Sequence, residues 1–204
     1  IIPMVLVNGM VGIGTGWSTN IPQFNPVGII KNIKKKLKDG AYHAMHPYYR
    51  GFKGDIIKLS DTNYLSRGNY SLDEDRLVIT ELPIGKSTED YKSFLESLLY
   101  DKSNENTSKQ CLVDFVNYST EKVVKITLKF KKEILKDLIL NNKFENTLKL
   151  TDSKYTNYSN MHLYNNKETI TKYDSCEEII NDFYHLRLIY YVKRKEYLLN
   201  SMKK

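Results

Sequence analysis

The stretch NGMVGIGTGWSTNIP, residues 8–22, sets Gly9, Gly12, Gly14 and Gly16 around a single bare isoleucine, Ile13, and follows them with the only tryptophan in the chain, Trp17. Before it, PMVLV (3–7) is an unbroken apolar run stopped by Asn8-Gly9, which reads as a buried strand entering a turn. A strand followed by glycines invites comparison with phosphate-binding loops. The dinucleotide pattern G-x-G-x-x-G started at Gly14 would need a third glycine where Thr19 stands, and a P-loop would need lysine where Thr15 follows Gly14. Two readings remain. The glycines form a tight structural turn, with Ile13 and Trp17 plugging the core. Or they form a surface on which a bulky partner approaches the backbone closely while Ile13 is presented to it. If the partner is a duplex, such an isoleucine can wedge between base pairs.

Downstream, NPVGIIKNIKKKLKDG (25–40) has the marks of a helix: Asn25 as N-cap, Pro26 in the first turn, Ile29, Ile30, Ile33 and Leu37 on one face, and Asp39-Gly40 as terminator. Its opposite face carries Lys31, Lys34, Lys35 and Lys38, which either follow phosphates or form a solvated face. Lys53, inside GFKG, sits either where a backbone could meet DNA or on a surface turn. The segments DIIKLS, YLSRG, NYSL and RLVITELP read as strands, with Asp73-Glu74-Asp75 as a polar hairpin turn rather than a metal cluster. A second amphipathic helix covers 88–101, a polar loop 102–110, strands LVDFVNYS and 122–130, and a short helix KKEILKDLILNN. The tyrosine-rich stretch from Asn146 to Asn166 looks β-like.

The last thirty residues are the most regular. Ser175 with Glu178 makes a capping box, and the chain then runs to its end without Gly or Pro. Ile179, Phe183, Leu186 and Tyr190 form one stripe; Tyr184, Leu188, Tyr191, Leu198 and Met202 form a second, interrupted by Lys195. A helix with two apolar stripes should pack against the body and against another helix, as the root of a coiled coil does.

The composition sets looser bounds. A chain of 204 residues is long enough for a real core, and a net charge of +7 favours a polyanionic partner, nucleic acid among them. Cys111 and Cys176 match no zinc spacing and read as free thiols; His43, His46, His162 and His185 show no ligand spacing and read as structural. No apolar run approaches the ~20 residues that span a bilayer, and no signal-peptide pattern is present, so no membrane partner is expected. IIPMVLV opens in mid-strand and LLNSMKK stops inside a helical pattern, so the chain reads as a piece of something larger.

Taken together, IIPMVLVNG, GIGTGWST and FNP, then HPYYRGFKGDI (46–56), ITELPIG (79–85) and KYDSCEEIINDFYHLRLIYYVKRKEYLL (172–199), resemble the C-terminal part of the breakage–reunion core of eukaryotic-type type IIA DNA topoisomerases. The anchors keep family order over nearly the whole chain. The resemblance implies an α+β fold. Residues 1–24 would end a winged-helix DNA-binding domain, 25–174 would be a tower domain, and 175–204 would begin a coiled-coil exit-gate helix. It implies that Ile13 intercalates and bends double-stranded DNA, with Gly12, Gly14, Thr15 and Trp17 beside it; Trp17 also reads as core. Lys31, Lys34, Lys35 and Lys53 remain the softer candidates. The family's DNA-contacting aromatic after E-L-P aligns with Ser87, preceded by Lys86, so that contact is altered or lost. Met10-Val11 replaces the usual Ala-Glu, which makes the loop greasier.

The family nucleophile, a tyrosine preceded by arginine, is expected before Ile1. None of the sixteen tyrosines here has that context, and no catalytic residue is named. Apart from Asp73-Glu74-Asp75, which reads as a turn, no magnesium D-x-D motif is present, and the ATPase motifs are missing, so ATP and Mg2+ are implied only for the full-length enzyme, a nuclear homodimer. The segment alone is expected to bind DNA without chemistry. The rival expectation is a stand-alone duplex-binding module with no enzyme attached.

Overall fold

The computed structural model describes residues 1–38, 40–73, 76–99, 111–141 and 143–203. In chain order it contains α1 (Met4–Asn8), β1 (Met10–Ile13), β2 (Ser18–Ile21), α2 (Pro26–Lys36), β3 (Asp55–Lys58), β4 (Tyr64–Arg67), β5 (Asn69–Asp73) and β6 (Arg76–Glu81). Then follow α3 (Thr88–Leu98), β7 (Leu112–Asn117), β8 (Ile126–Phe130), α4 (Lys132–Leu140), α5 (Phe144–Thr147), β9 (Thr151–Asp152), β10 (Met161–Tyr164), β11 (Ile170–Tyr173) and α6 (Cys176–Met202). The architecture mixes helices with small antiparallel sheets, β1-β2, β10-β11, β3-β4-β9 and β5-β6-β8-β7, and ends in one long helix. The chain divides into two compact units: residues 1–50, 60–63 and 157–204 in the first, 51–59 and 64–156 in the second. Among the described residues no helix is long and apolar enough to cross a membrane.

In the first unit, PMVLV corrects the strand expectation. It folds as the five-residue helix α1, with Leu6 its one buried side chain. A run this short carries no period that separates strand from helix. The Leu6 carbonyl accepts from the Phe24 amide at 2.7 Å, and Gly9, at φ 67°, turns the chain immediately afterwards. A Cβ at Gly9 would lie 2.9 Å from the Ile21 carbonyl oxygen, so glycine is demanded there by both φ and space.

Helix α2 starts as expected, the Val27 amide donating to Asn25 Oδ1 at 2.9 Å. It ends earlier than expected, at Lys36 rather than at Asp39-Gly40, and its buried positions are Ile29 and Asn32, while Ile30 and Leu37 are exposed. The reason is Asn32, buried to 1% exposure: its Nδ2 donates to the His43 carbonyl at 2.9 Å and its Oδ1 accepts from the His43 amide at 2.8 Å. Both ends of the amide are satisfied, so a polar residue can occupy the inward face and rotate the helix about it.

Helix α6 carries the expected cap, Glu178 N donating to Ser175 Oγ at 3.3 Å. The Glu178 carboxylate returns to the Asp174 amide at 2.8 Å, one residue before the cap. Cys176, Ile179 and Ile180 are buried; in the second apolar stripe Tyr184 is half-buried and lines a hollow with Leu188, Tyr191, Ile1, Ile33 and Leu37, while from Leu188 to Met202 every residue is exposed. Cys111 and Cys176 are free and buried, and burial pushes both thiols up, away from the reactive thiolate.

In the second unit, β6 and β8 alternate inward Leu77, Ile79, Ile126, Leu128 and Phe130 against Tyr91, Leu95 and Leu98 of α3 and Leu135 of α4. The stretch expected to be β-like is so only in part: it starts inside α5 before reaching β9 and β10. Leu150 N bonds Glu145 O at 2.9 Å and Lys149, at φ 50°, bonds Asn146 O at 3.2 Å, the double closure that ends a helix with a left-handed residue. Of the turn read at Asp73-Glu74-Asp75, Glu74 and Asp75 lie outside the described residues, as does the whole loop read at 102–110.

Gly54 sets the entry into β3. A Cβ there would stand 2.0 Å from the Arg67 carbonyl oxygen, an atom of the neighbouring strand that cannot move aside alone. Gly54→Ala is expected to lose about 1–3 kcal/mol or more through this overpacking, read as a lower midpoint in thermal or denaturant unfolding.

Candidate nucleic-acid interface

The glycine stretch is an antiparallel hairpin. Met10 pairs with Ile21, Val11 with Asn20, Gly12 with Thr19 and Ile13 with Ser18. Thr15-Gly16 forms the turn: Gly14 N donates to the Trp17 carbonyl at 2.8 Å, and Gly16 sits at φ 79°, the left-handed position that turn requires. After the turn the chain enters a strand, so no helix N-terminus is presented to a phosphate, and the nucleotide-loop reading has no structural basis here.

Ile13 is 91% exposed, so it plugs no core. Trp17 is 53% exposed and meets His162 edge-on, ring centroids 5.4 Å apart. Gly12 and Gly14 are more informative than Gly16. A Cβ at Gly12 would come 3.4 Å from Thr19 Cγ2, and one at Gly14 3.7 Å from the Trp17 carbonyl oxygen, both ordinary contacts. Neither has a positive φ. The hairpin would therefore form with alanine at both positions.

Gly12, Ile13, Gly14, Thr15 and Trp17 come together around one hollow of about 420 Å³, whose other wall is His162, Leu163, Tyr164 and Ile170. Met10, Val11, Tyr164 and Ile170 are exposed beside it. The sequence gives no hint of the His162 wall, since that histidine reads there as structural. Its amide donates to Thr19 Oγ1 at 3.0 Å, while its Nδ1 is buried with no partner among the described residues. No local motif marks this wall, because it reaches β2 from 143 residues away.

On α2, Lys31 and Lys34 are exposed and Lys35 half-buried, and among the described residues none of the three has an ion-pair partner. Lys36 is used locally: it lies over the Tyr42 ring at 5.3 Å and donates to the Gly40 carbonyl at 3.2 Å. The remaining candidates belong to the second unit. Lys53 is exposed, its amide donating to Glu81 Oε2 at 3.3 Å. Lys86 is paired with Asp152 at 2.9 Å, and Ser87 is the N-cap of α3, its Oγ accepting from the Asp90 amide at 3.0 Å. Both therefore have structural work within that unit.

The family model of the DNA gyrase/topoisomerase IV A-subunit matches residues 1–204. DNA topoisomerase 2 of Pisum sativum is 41% identical over 204 residues, covering 99% of this chain and 14% of that protein. The mitochondrial DNA topoisomerase 2 of Dictyostelium discoideum is 39% identical over 211 residues, covering 99% of this chain and 15% of that protein. This chain thus spans a small part of either relative. The crystal structure of the Plasmodium falciparum topoisomerase II DNA-binding, cleavage and re-ligation domain superposes with a TM-score of 0.90 at 35% identity, covering 99% of this chain and 27% of that one.

Proposed function

Because the chain belongs to the DNA gyrase/topoisomerase IV A-subunit family, we propose that it is a DNA-binding and DNA-bending segment of an ATP-dependent type IIA topoisomerase. That enzyme passes one duplex through a transient double-strand break in another. The observation that carries the reading is Ile13, an apolar side chain 91% exposed on a hairpin whose flanking glycines the fold does not need. An aliphatic group with bare backbone on both sides fits between stacked base pairs, and the glycines let the sugar–phosphate edge come down onto β1 and the turn. Gly12, Gly14, Thr15 and Trp17 shape the contact; Lys31, Lys34 and Lys35 take phosphates, as does Lys53. Lys86 and Ser87 contribute less, since Asp152 and the start of α3 already hold them.

In this proposal residues 1–24 close a winged-helix domain, 25–174 form the tower and 175–204 lead into a coiled coil. The long uncovered apolar surface of α6 beyond Leu188 supports the last assignment. The full-length enzyme would act as a homodimer, in the nucleus; the mitochondrial relative shows that the family is not confined there. Among the described residues no group of three or more His, Cys, Asp or Glu side chains could hold a metal ion. In this proposal magnesium, ATP and the nucleophilic tyrosine are assigned to the full-length enzyme. The full-length protein is expected to relax supercoiled plasmid only with ATP and Mg2+, while residues 1–204 alone shift a duplex on a gel and leave both strands intact. A full-length protein that binds duplex but never relaxes plasmid would favour a binding module instead.

A further inference from the structure

We infer that Asn160 is a positioning residue for Ile13, acting through Ser18; this rests on the wedge reading above. The hairpin β1-β2 is a two-stranded sheet, and on its own such a ribbon is a poor lever for prying bases apart. Its β1 edge, which carries Ile13, pairs with no further strand among the described residues. Its β2 edge is held at Ser18, Thr19 and Asn20 by the segment leading into β10. Asn20 N donates to the Asn160 carbonyl at 2.8 Å, and Asn20 Nδ2 donates to the Asn157 carbonyl at 2.8 Å. His162 N donates to Thr19 Oγ1 at 3.0 Å, and Asn160 Nδ2 donates to Ser18 Oγ at 2.9 Å. The edge-on Trp17–His162 contact continues the line to the turn.

Within this brace Asn160 is singular. Its backbone fixes Asn20 and its side chain fixes Ser18, and Ser18 is the residue directly across the ladder from Ile13. Two anchors from one residue, on β2 positions two apart, resist both lifting and twisting of the hairpin. The Asn160–Ser18 bond lies at the surface, so its loss should leave the fold standing, while the angle at which Ile13 meets DNA becomes soft. A wedge works only if it is held in the geometry that the bent duplex requires, because any swing of the hairpin relaxes the kink before new surface contacts form.

The test uses the full-length protein and a duplex labelled at both ends for energy transfer. Ser18→Ala and Asn160→Ala are each expected to lower the ratio of bent to straight bound duplex by about two- to tenfold, the range of a single net hydrogen bond. The double variant should lose no more than either single one, because both remove the same bond. Duplex affinity should change far less than the bent fraction, and Ser18→Thr, which keeps the hydroxyl, should restore bending. Ile13→Ala run beside them separates the two ideas. If Ile13→Ala loses the bend while Ser18→Ala and Asn160→Ala bend DNA like the parent, or if their losses simply add, Asn160 is not a positioning residue. If Ile13→Ala itself bends DNA normally, the wedge reading falls and the brace with it. Should Asn160→Ala fail to fold, the Ser18→Ala and Ser18→Thr pair still decides, since Ser18 is exposed on the hairpin surface.

Discussion

Ile13→Ala is expected to remove most of the bend from a bound duplex while leaving the protein's own stability unchanged. The two halves of this result have one cause. With 91% of its surface exposed, Ile13 contributes almost no burial to the folded protein, so truncating it opens no cavity. Once inserted between base pairs it is buried, and burying an isoleucine side chain is worth roughly 1.5–3 kcal/mol. Unstacking a base step costs a few kcal/mol, a sum of the same size, so the kink depends on that burial. Losing it should shift the ratio of bent to straight complexes by roughly 10- to 100-fold, at about 1.4 kcal/mol per factor of ten. Energy transfer between end labels reads the ratio, and thermal unfolding of the free protein provides the control. A variant that bends DNA as well as its parent would place the kink elsewhere on the surface.

The elements that can be read from the sequence are those whose signal is local. Asn25 and Ser175 cap helices in the structure because a short polar side chain ahead of an amphipathic run has one obvious use, the orphan amides of the first turn. The same chemistry stands at Ser87, ahead of Thr88-Glu89-Asp90, where alignment with a DNA contact masks the cap. Helix α1 is not legible, because five apolar residues satisfy a helix and a strand equally; its form is settled by what Gly9 and Phe24 permit next to it. The inward turn of α2 is not legible either, since Asn32 looks like a surface residue until His43 is seen to satisfy both ends of its amide.

The candidate site divides along the same line. Gly12, Ile13, Gly14, Thr15 and Trp17 lie within six consecutive positions, and their strangeness as a group is visible in the chain itself. Of the residues that wall and brace them, Asn157, Asn160 and His162 are joined to the hairpin by bonds spanning 137 to 143 positions, and Tyr164 and Ile170 lie further along the same segment. Such pairings are set by the packing of the whole first unit and leave no periodic trace. A tyrosine-rich, asparagine-rich segment looks the same whether it braces a wedge or covers a surface.

The lysines of α2 call for a measurement that Ile13 does not affect. Neutralising Lys31, Lys34 and Lys35 together to glutamine should flatten the dependence of log affinity on log salt by about 2.7, if each lysine releases the counterions of one phosphate at ~0.9 apiece. Between about 50 and 200 mM salt the parent would then lose about 40-fold more affinity than the triple variant. Lys36→Gln is the internal control: that ammonium is engaged over Tyr42 and with the Gly40 carbonyl, so its removal should barely touch the slope. Because charge contacts set the slope and the wedge sets the bend, Ile13→Ala should keep the parent's salt dependence while straightening the DNA, and the triple lysine variant should bind weakly at low salt yet still bend what it holds. A triple variant with an unchanged slope would mean that the lysine face of α2 meets only water, and the phosphate contacts would then have to be sought on other parts of the surface, beginning with Lys53.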